Sequence, residues 1–575
     1  MRYIFIIFIL GYSWVFFNLL KIHFLKHNIF KQKLYQFTTI TIYTPPNRAL
    51  ILDRNLKEIA QNKSELAITI QKTKLQLLDK TTKQKIINSL NKYFNNDIQK
   101  LISESYVDKV IIKKKPDIND ISFITENLYY LYGVNVDIFF KRYYPYKSAL
   151  SFITGFVNMP SSEEIKNNSE LFYYDYVGKD GLEKEYDDFL RGKLGYIKYQ
   201  IEPDGTPFKI LDKIEPINNY TLKTTIDVNI QLFIYNELKK LCDNLSIKNN
   251  QPVGGSVVLI KTNGEVLALV SYPSYDPNTL EPDYNNIIKK YPSFSFYLNR
   301  AISGEYPPAS TFKIITSLAA LNENIIDDKT KIYCPGYFFV GNHPFYCFNT
   351  FGHGYLDIYS ALAYSCDVFY YQLGYKLGID KIKKYCEILG LSKPTGIDLP
   401  YEANGLIPDK SYKMKYFNEE WTKGDDVNSA IGQGMVLVTP IQMAVAVNSI
   451  ATGYKITPFI NYQNISKKIK LNINQKKLRI IRESMRNAVD FGTASVVKYK
   501  VKKYVVAGKT GTAEVPANSN NPKGLNNTWF VCFFDFYKPE YVLVVSLEGS
   551  GGYGGEYAAN LAADIINFIT TKLNY

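Results

Sequence analysis

Nucleic-acid-binding signatures are missing from this 575-residue chain, which has no zinc-finger spacing, RRM signature or helix-turn-helix pattern. Its formal net charge of +14 therefore does not mark a DNA or RNA partner. An acidic lipid or polymer is the specific reading, and a general abundance of lysine the plain one. The lysines are spread along the chain rather than clustered. Internal repeats and long low-complexity tracts are absent, which removes repeat architectures. Charged residues make up only 21% against 46% hydrophobic, a globular composition that excludes a disordered chain. Long apolar runs are scarce. Residues 3–20 carry no charge and are about long enough to cross a bilayer. No second run of that length follows, so everything after residue 21 is expected on one side of a membrane. No small-x-small cleavage site follows Leu20, which favours an uncleaved anchor over a signal peptide. Only Arg2 and the terminal amine precede the run, whereas Lys21, Lys26, Lys31 and Lys33 follow it. The positive-inside rule alone would thus place the body in the cytoplasm.

The length predicts two or three domains. After the anchor, residues 1–21, the segment 22–220 offers no nucleophile in a motif and reads as a non-catalytic stalk or interaction module. Ala49–Asp53 and Leu66–Ile70 are β-like. Asp79 is a candidate N-cap for a helix to Leu101, with Ile86, Ile87, Leu90, Tyr93 and Phe94 at roughly helical spacing. The pattern changes near residue 221, where the catalytic unit 221–575 begins. A helix is predicted from Val228 to Leu241. The strand-like runs Gly255–Ile260 and Val266–Val270 are joined through Asn263-Gly264, a hairpin signal. Tyr504–Ala507, Trp529–Phe534 and Tyr541–Ser546 read as three further strands, and 557–572 as a closing helix. Strands at both ends with helices between predict one sheet assembled from distant parts of the chain. Residues 514–527 are the clearest loop. Gly549–Gly554 satisfies G-x-G-x-x-G, but no acidic residue follows within a βαβ unit, so it reads as a glycine-rich turn.

Three short motifs carry the chemistry: Ser310-Thr311-Phe312-Lys313, Ser365-Cys366-Asp367 and Lys509-Thr510-Gly511-Thr512. Ser-x-x-Lys alone is weak, since Ser89–Lys92 and Ser495–Lys498 match it too. Ser310 differs in context. It opens an almost wholly apolar, hence buried, helix, where free N–H groups and the helix dipole favour developing negative charge. Lys313 stacks over it on the same face; the alternative is an N-cap serine beside a snorkelling lysine. Lys313 as a base must shed its proton near neutrality, roughly 3 units below its usual value. Burial and a second cation, Lys509, both push that way. Ser365 would relay the proton. Lys509, Thr510 and Thr512 would hold a carboxylate, and Gly511 would let the strand backbone approach the substrate. The N–H groups of Ser310 and Thr512 would form an oxyanion hole. Together the motifs point to serine acyl transfer by a Ser-Lys route.

Three of the six cysteines fall in one short segment with a histidine: Cys334, Cys347, His353 and Cys366. Spacing leaves open a tetrahedral Zn²⁺ site, a Cys334–Cys347 disulfide or free thiols. His343 is an alternative imidazole. Cys242, Cys386 and Cys532 lie in apolar stretches and are expected as buried thiols.

These motifs, with Pro45-Pro-Asn-Arg48, Asp53-Arg-Asn55, Arg142-Tyr-Tyr-Pro145, Gly155–Val157, Gly178–Glu183, Thr225-Ile-Asp227, Tyr306-Pro-Pro308, Ile431–Gly434 and Trp529–Val531, resemble the class B penicillin-binding proteins almost end to end. The resemblance implies an α+β penicilloyl-serine transferase fold, a five-stranded antiparallel sheet flanked by helices, behind an elongated mixed pedestal of dimerisation type. It implies D,D-transpeptidation of peptidoglycan through acyl-Ser310, with β-lactams acylating the same serine. The substrate lies outside the inner membrane, so a single-pass protein with a periplasmic or extracytoplasmic body is expected despite the charge rule. The middle motif is usually Ser-x-Asn. Asp367 resembles the elongation-specific penicillin-binding protein 2 subgroup, which is also similar in having a metal site at the positions of Cys334, Cys347, His353 and Cys366. Zinc there would pin Ser365 and Asp367 rather than react. No organic cofactor is implied. Ala49, Leu56 and Ala309 stand where glycines are common. The chain leaves no room for a glycosyltransferase domain, so a SEDS-family polymerase and other elongation machinery are the implied partners. A β-lactam sensor, a D,D-carboxypeptidase and a β-lactamase use the same chemistry. A sensor would carry several spans and an effector, and a β-lactamase an activating Glu motif; neither is found.

Overall fold

A computed structural model describes residues 11–18, 20–21, 39–44, 46–76, 78–104, 109–168, 176–193, 195–201, 207–217 and 220–572. Of the predicted anchor, residues 11–18 are helical, and most of the rest lies outside the described residues. Among the described residues no helix is long and apolar enough to cross a membrane.

The N-terminal region is built on the long strand Glu58–Gln71, which pairs antiparallel with both Lys109–Lys114 and Val134–Tyr143. The Asp79 carboxylate caps the helix Lys80–Phe94 by accepting from the N–H groups of Thr81 and Thr82. The single helix predicted to Leu101 is instead two. Asn95 takes the left-handed conformation (φ 49°), and a second helix runs Ile98–Glu104. The Asn95-Asn96-Asp97 run supplies residues whose short polar side chains tolerate that conformation. Ile68, Ile87, Leu90, Ile112 and Ile124 give this outer part its own core. Lower down, Ile51, Ile59 and Leu182 belong to the same core as Ile226, Ile234 and Val257. Leu222–Lys223 pairs in parallel with Ile51–Leu52.

The lower part of this N-terminal region is held by a buried ionic cluster. Glu183, fully buried, accepts from Arg48 at 2.5 Å and Arg142 at 2.6 Å, and Arg48 also donates to Asp187 at 2.8 Å. Burial opposes ionisation of Glu183, but the two guanidiniums outweigh it and hold its carboxyl below the ordinary value. Leu56, where glycine is common in the resembling family, sits in the left-handed region at φ 65° and is exposed.

The C-terminal region follows the predicted layout. Helix α1 (Val228–Asn249) starts at Asp227, which accepts from the N–H groups of Asn229 and Ile230, and runs well past Leu241. Strands β1 (Gly254–Lys261) and β2 (Val266–Tyr272) form the Asn-Gly hairpin. A 3₁₀ turn, Ala309–Phe312, leads into α2 (Lys313–Asn322). A small lobe follows, with β3 (Ile332–Cys334), β4 (Tyr337–Val340), β5 (His343–Tyr346) and β6 (Gly354–Leu356). Next come α3 (Asp367–Leu377) and α4 (Pro440–Thr452). Strands β7 (Val506–Ala513), β8 (Asn527–Phe534) and β9 (Tyr541–Glu548) precede α5 (Ala558–Lys572).

The five long strands form one antiparallel sheet in the order β2-β1-β9-β8-β7, so the first two strands of the region meet the last three. Strands β8 and β9 are apolar and buried almost throughout because helices cover both faces. α1 and α5 share one face, with Phe233 stacked on Phe568 at 3.9 Å. α4 packs on β1, β8 and β9 with its Val, Ile, Met and Ala side chains buried. Each large one contributes about 1.5–3 kcal/mol. This packing leaves β7 as an edge strand, and the 3₁₀ turn lies against that edge.

Candidate active site

The turn that presents Ser310 is fixed from both sides. Tyr306 pairs with Val438 through both backbone groups, and the Ala309 N–H donates to the Gly432 carbonyl at 2.9 Å. Ala309 takes φ 49°, the left-handed region that favours glycine, which accounts for the glycine common at this position in the resembling family. The helix expected to open at Ser310 instead begins as a 3₁₀ turn, and α-helical bonding starts at Lys313. Ser310 is half-buried and Lys313 fully buried. The two decoys lie elsewhere: Ser89 and Lys92 are on an exposed helix face, and Lys498 pairs with Asp490.

Four of the five predicted catalytic side chains form one bonded cluster. Lys313 Nζ donates to the Ser365 carbonyl (2.8 Å), to Ser365 Oγ (3.2 Å) and to Asp367 Oδ1 (2.7 Å). Lys509 Nζ donates to Ser365 Oγ (2.9 Å) and to the Thr510 carbonyl (3.0 Å). Ser365 thus sits between two lysines, held at φ 58° at the end of the turn before α3. The expected proximity of two cations is present, and it acts on Lys509. Burial first, then the charge of Lys313, drive the Lys509 ammonium well below its usual range. Lys313 instead faces a carboxylate, and Asp367 is further tied by the Phe348 N–H, which donates to Oδ2 at 3.0 Å.

Gly511 works differently from expectation. A Cβ there would meet the Pro308 carbonyl and Thr311 Cγ2, each at 3.0 Å. The glycine lets β7 approach the nucleophile turn itself. Gly511→Ala is expected to push the edge strand off the turn and lower the penicillin acylation rate roughly tenfold to a hundredfold. A time course of adduct formation measures this, with an unchanged melting temperature as control. Thr510 Oγ1 shares a hydrogen bond with Thr493 Oγ1 at 2.7 Å, and Thr512 Oγ1 accepts from the Gly554 N–H at 3.1 Å. Thr493, Phe348 and Gly554 are parts of the site that sequence reasoning missed. Thr493 lies between two helices in no motif, and the other two act through backbone N–H groups, which leave no trace in residue type. Gly554 belongs to the glycine-rich segment expected as a plain turn, and it packs on the Gly511 carbonyl.

Cys334, Cys347, His353 and Cys366 come together as well. One ligand atom from each lies within 4.8 Å of all the others. His353 Nδ1 is 3.7 Å from Cys334 Sγ and 3.6 Å from Cys347 Sγ. An S–N edge of about 3.5 Å follows from Zn–S and Zn–N bonds of about 2.3 and 2.0 Å at tetrahedral angles, close to both observed separations, so the donor set fits zinc. The hydrogen bond from Cys366 lowers the Cys347 thiol, and the same bond raises Cys366. His343 lies outside this cluster at the start of β5, and all six cysteines are unpaired thiols. Cys242, Cys386 and Cys532 are buried as expected.

Comparison with known proteins agrees with this geometry. Residues 254–567 match the family model of the penicillin binding protein transpeptidase domain, and residues 43–224 that of the penicillin-binding protein dimerisation domain. The chain is 30% identical over 569 residues to the peptidoglycan D,D-transpeptidase MrdA of Haemophilus influenzae, covering 91% of this chain and 84% of that one. It is 29% identical to the protein of the same name from Acinetobacter baumannii, covering 92% and 81%. The solved complex between penicillin-binding protein PBP2 and MreC from Helicobacter pylori is similar with a TM-score of 0.79 and 28% identity, covering 93% of this chain and 99% of that one. A serine turn packed on an edge strand, two lysines converging on a second serine, and a family match across more than half of the chain lead to one conclusion: this chain belongs to the penicillin-binding protein transpeptidase family.

Proposed function

We infer that this chain is a peptidoglycan D,D-transpeptidase of cell-wall elongation. The observation that carries the reading is the convergence of Lys313 Nζ and Lys509 Nζ on Ser365 Oγ, one turn from Ser310. In the proposed cycle, Ser310 Oγ attacks the carbonyl of the terminal D-Ala-D-Ala bond of a stem peptide. Lys313 takes the serine proton, and Ser365 passes a proton to the leaving amine as the C–N bond breaks and D-Ala departs. An amine of a neighbouring stem peptide then attacks the acyl-Ser310 ester, and the serine regains its proton. The N–H groups of Ser310 and Thr512 receive the oxyanion. Lys509, Thr510 and Thr512 hold the substrate carboxylate. An arriving anion would favour the charged form of Lys509 and so oppose the depression that burial and Lys313 impose.

The four-residue cluster is proposed to hold one structural Zn²⁺, which would fix the lobe beside Asp367 and supply no chemistry of its own. One zinc per chain is expected by metal analysis. Chelation is expected to lower the melting temperature by roughly 5 °C or more. An unchanged melting temperature after complete metal removal would reject a structural metal.

Residues 1–21 are proposed as the inner-membrane anchor, 22–220 as pedestal and 221–575 as catalytic domain, with the body on the extracytoplasmic side where the substrate is. A SEDS-family glycosyltransferase is the proposed polymerase partner. The Helicobacter pylori relative solved with MreC supports an equivalent partner here. The test is intact mass after exposure to a fluorescent penicillin. A stable adduct that disappears in Ser310→Ala, and cross-linked product when an acceptor amine is supplied, are expected. Rapid penicillin turnover would indicate a β-lactamase instead.

A further inference from the structure

We propose that the β3–β6 lobe is a binding platform for the saccharide strand that carries the stem peptides. The inference rests on the transpeptidase reading and extends its site from the peptide to the glycan.

The lobe is seated firmly on its inner face. Phe338 packs edge-on against Tyr375 at 5.9 Å, and Phe345 against Tyr371 at 5.6 Å, both on α3. The Gln372 side chain donates to the Tyr333 carbonyl and the Tyr371 hydroxyl to the Tyr346 carbonyl. Because α3 starts at Asp367, the platform is built on the helix that holds the Lys313 partner.

The outer face is different. Tyr333 and Tyr355 are register partners across β3 and β6, with ring centroids 5.0 Å apart, and both are exposed. Tyr337 and Tyr346 are register partners across β4 and β5, and both are exposed too. Phe348 and Phe351, in the segment that joins β5 to β6, are exposed as well, the latter 98%. The period of two in these strands sends one set of rings into α3 and the other into solvent.

The composition of the outer face selects the occupant. Protein-binding patches combine aromatics with methionine and arginine, and neither of the latter two occurs in 332–356. Aromatic faces are electron-rich and take the slightly positive C–H face of a pyranose ring, while tyrosine hydroxyls serve as both donors and acceptors for sugar hydroxyl and acetamido groups. Continuity argues the same way. The Phe348 N–H is bonded to Asp367, so the ring surface begins at the rim of the catalytic cleft. A stem peptide whose end reaches Ser310 remains tethered to its saccharide strand, which keeps that strand within a few extended residues of the cleft that Phe348 borders.

The test measures binding of peptide-free peptidoglycan glycan strands to the full chain in detergent, by isothermal titration. The paired variants Tyr333→Ala with Tyr355→Ala, and Tyr337→Ala with Tyr346→Ala, are expected to weaken binding at least tenfold with unchanged melting temperatures. The matching Tyr→Phe pairs are expected to stay within about threefold, since the ring faces remain. Alanine variants that bind strands as the wild type does would overturn the platform. So would variants that keep glycan affinity but lose a protein component of the complex, which would make the lobe a protein-docking surface. Acylation of the wild type by penicillin separates the two readings: an acylated wild type that ignores glycan strands rejects the platform alone, whereas one that is never acylated rejects the transpeptidase.

Discussion

Lys313→Met is expected to slow acylation of Ser310 by a penicillin about 10²–10⁴-fold, the range for loss of a positioned acid–base group. Methionine is close to lysine in length and suits the buried position, so the change removes the amine rather than the packing. What disappears is a donor that holds the Ser365 carbonyl, the Ser365 hydroxyl and Asp367 in one geometry. A second readout separates chemistry from collapse. The Lys313 charge depresses Lys509, whereas Asp367 acts in the opposite direction. Removing Lys313 therefore lets the Lys509 value rise, and the pH profile of residual acylation is expected to move to higher pH. A rate within tenfold of the wild type would remove Lys313 from the proton path.

The second large effect is on stability. Glu183→Ala leaves the Arg48 and Arg142 guanidiniums without their shared carboxylate in a buried site. Removing one partner from such a cluster costs about 3–5 kcal/mol, because the remaining charges keep their desolvation penalty. The Glu183 carboxyl is held below its ordinary value of 4.5 in the folded chain. Its contribution is therefore complete above that value and is lost as pH falls through the lower, folded one. Wild type and variant are expected to differ by the full amount in denaturant unfolding at neutral pH and to converge in acid. A difference below about 1 kcal/mol at pH 7 would show that solvent reaches the cluster and screens it.

Much of the site was legible because its chemistry is written in residue types at short spacing. Ser310 and Lys313 are one turn apart, and Ser365 and Asp367 flank one cysteine. Four of the five sheet strands were readable as apolar runs, and the Asn-Gly hairpin by its turn, whereas the run Tyr504–Ala507 caught only the first two residues of β7. Less legible was anything decided by backbone conformation. The 3₁₀ turn at Ser310 depends on Ala309 adopting a left-handed φ that only its bonded neighbours enforce. The break at Asn95 shows a local signal, the polar run Asn95-Asn96-Asp97, ending a helix that the apolar periodicity around it predicted to continue.

The sequence by itself determined the inventory: a nucleophile, two lysines, a relay serine, four metal-ligand candidates, and strands at both ends of a region that had to meet. Tertiary structure alone decided how the charges are shared. Asp367 pairs with Lys313, and Lys509 is depressed by burial and then by the charge of Lys313. Which lysine receives the carboxylate depends on how the Ser365 turn sets Asp367 against α2, a contact between residues 54 apart in the chain. Coulomb interactions weaken with distance and are least screened in a buried site, so residue identity names the participants and three-dimensional distance decides which charges act on which.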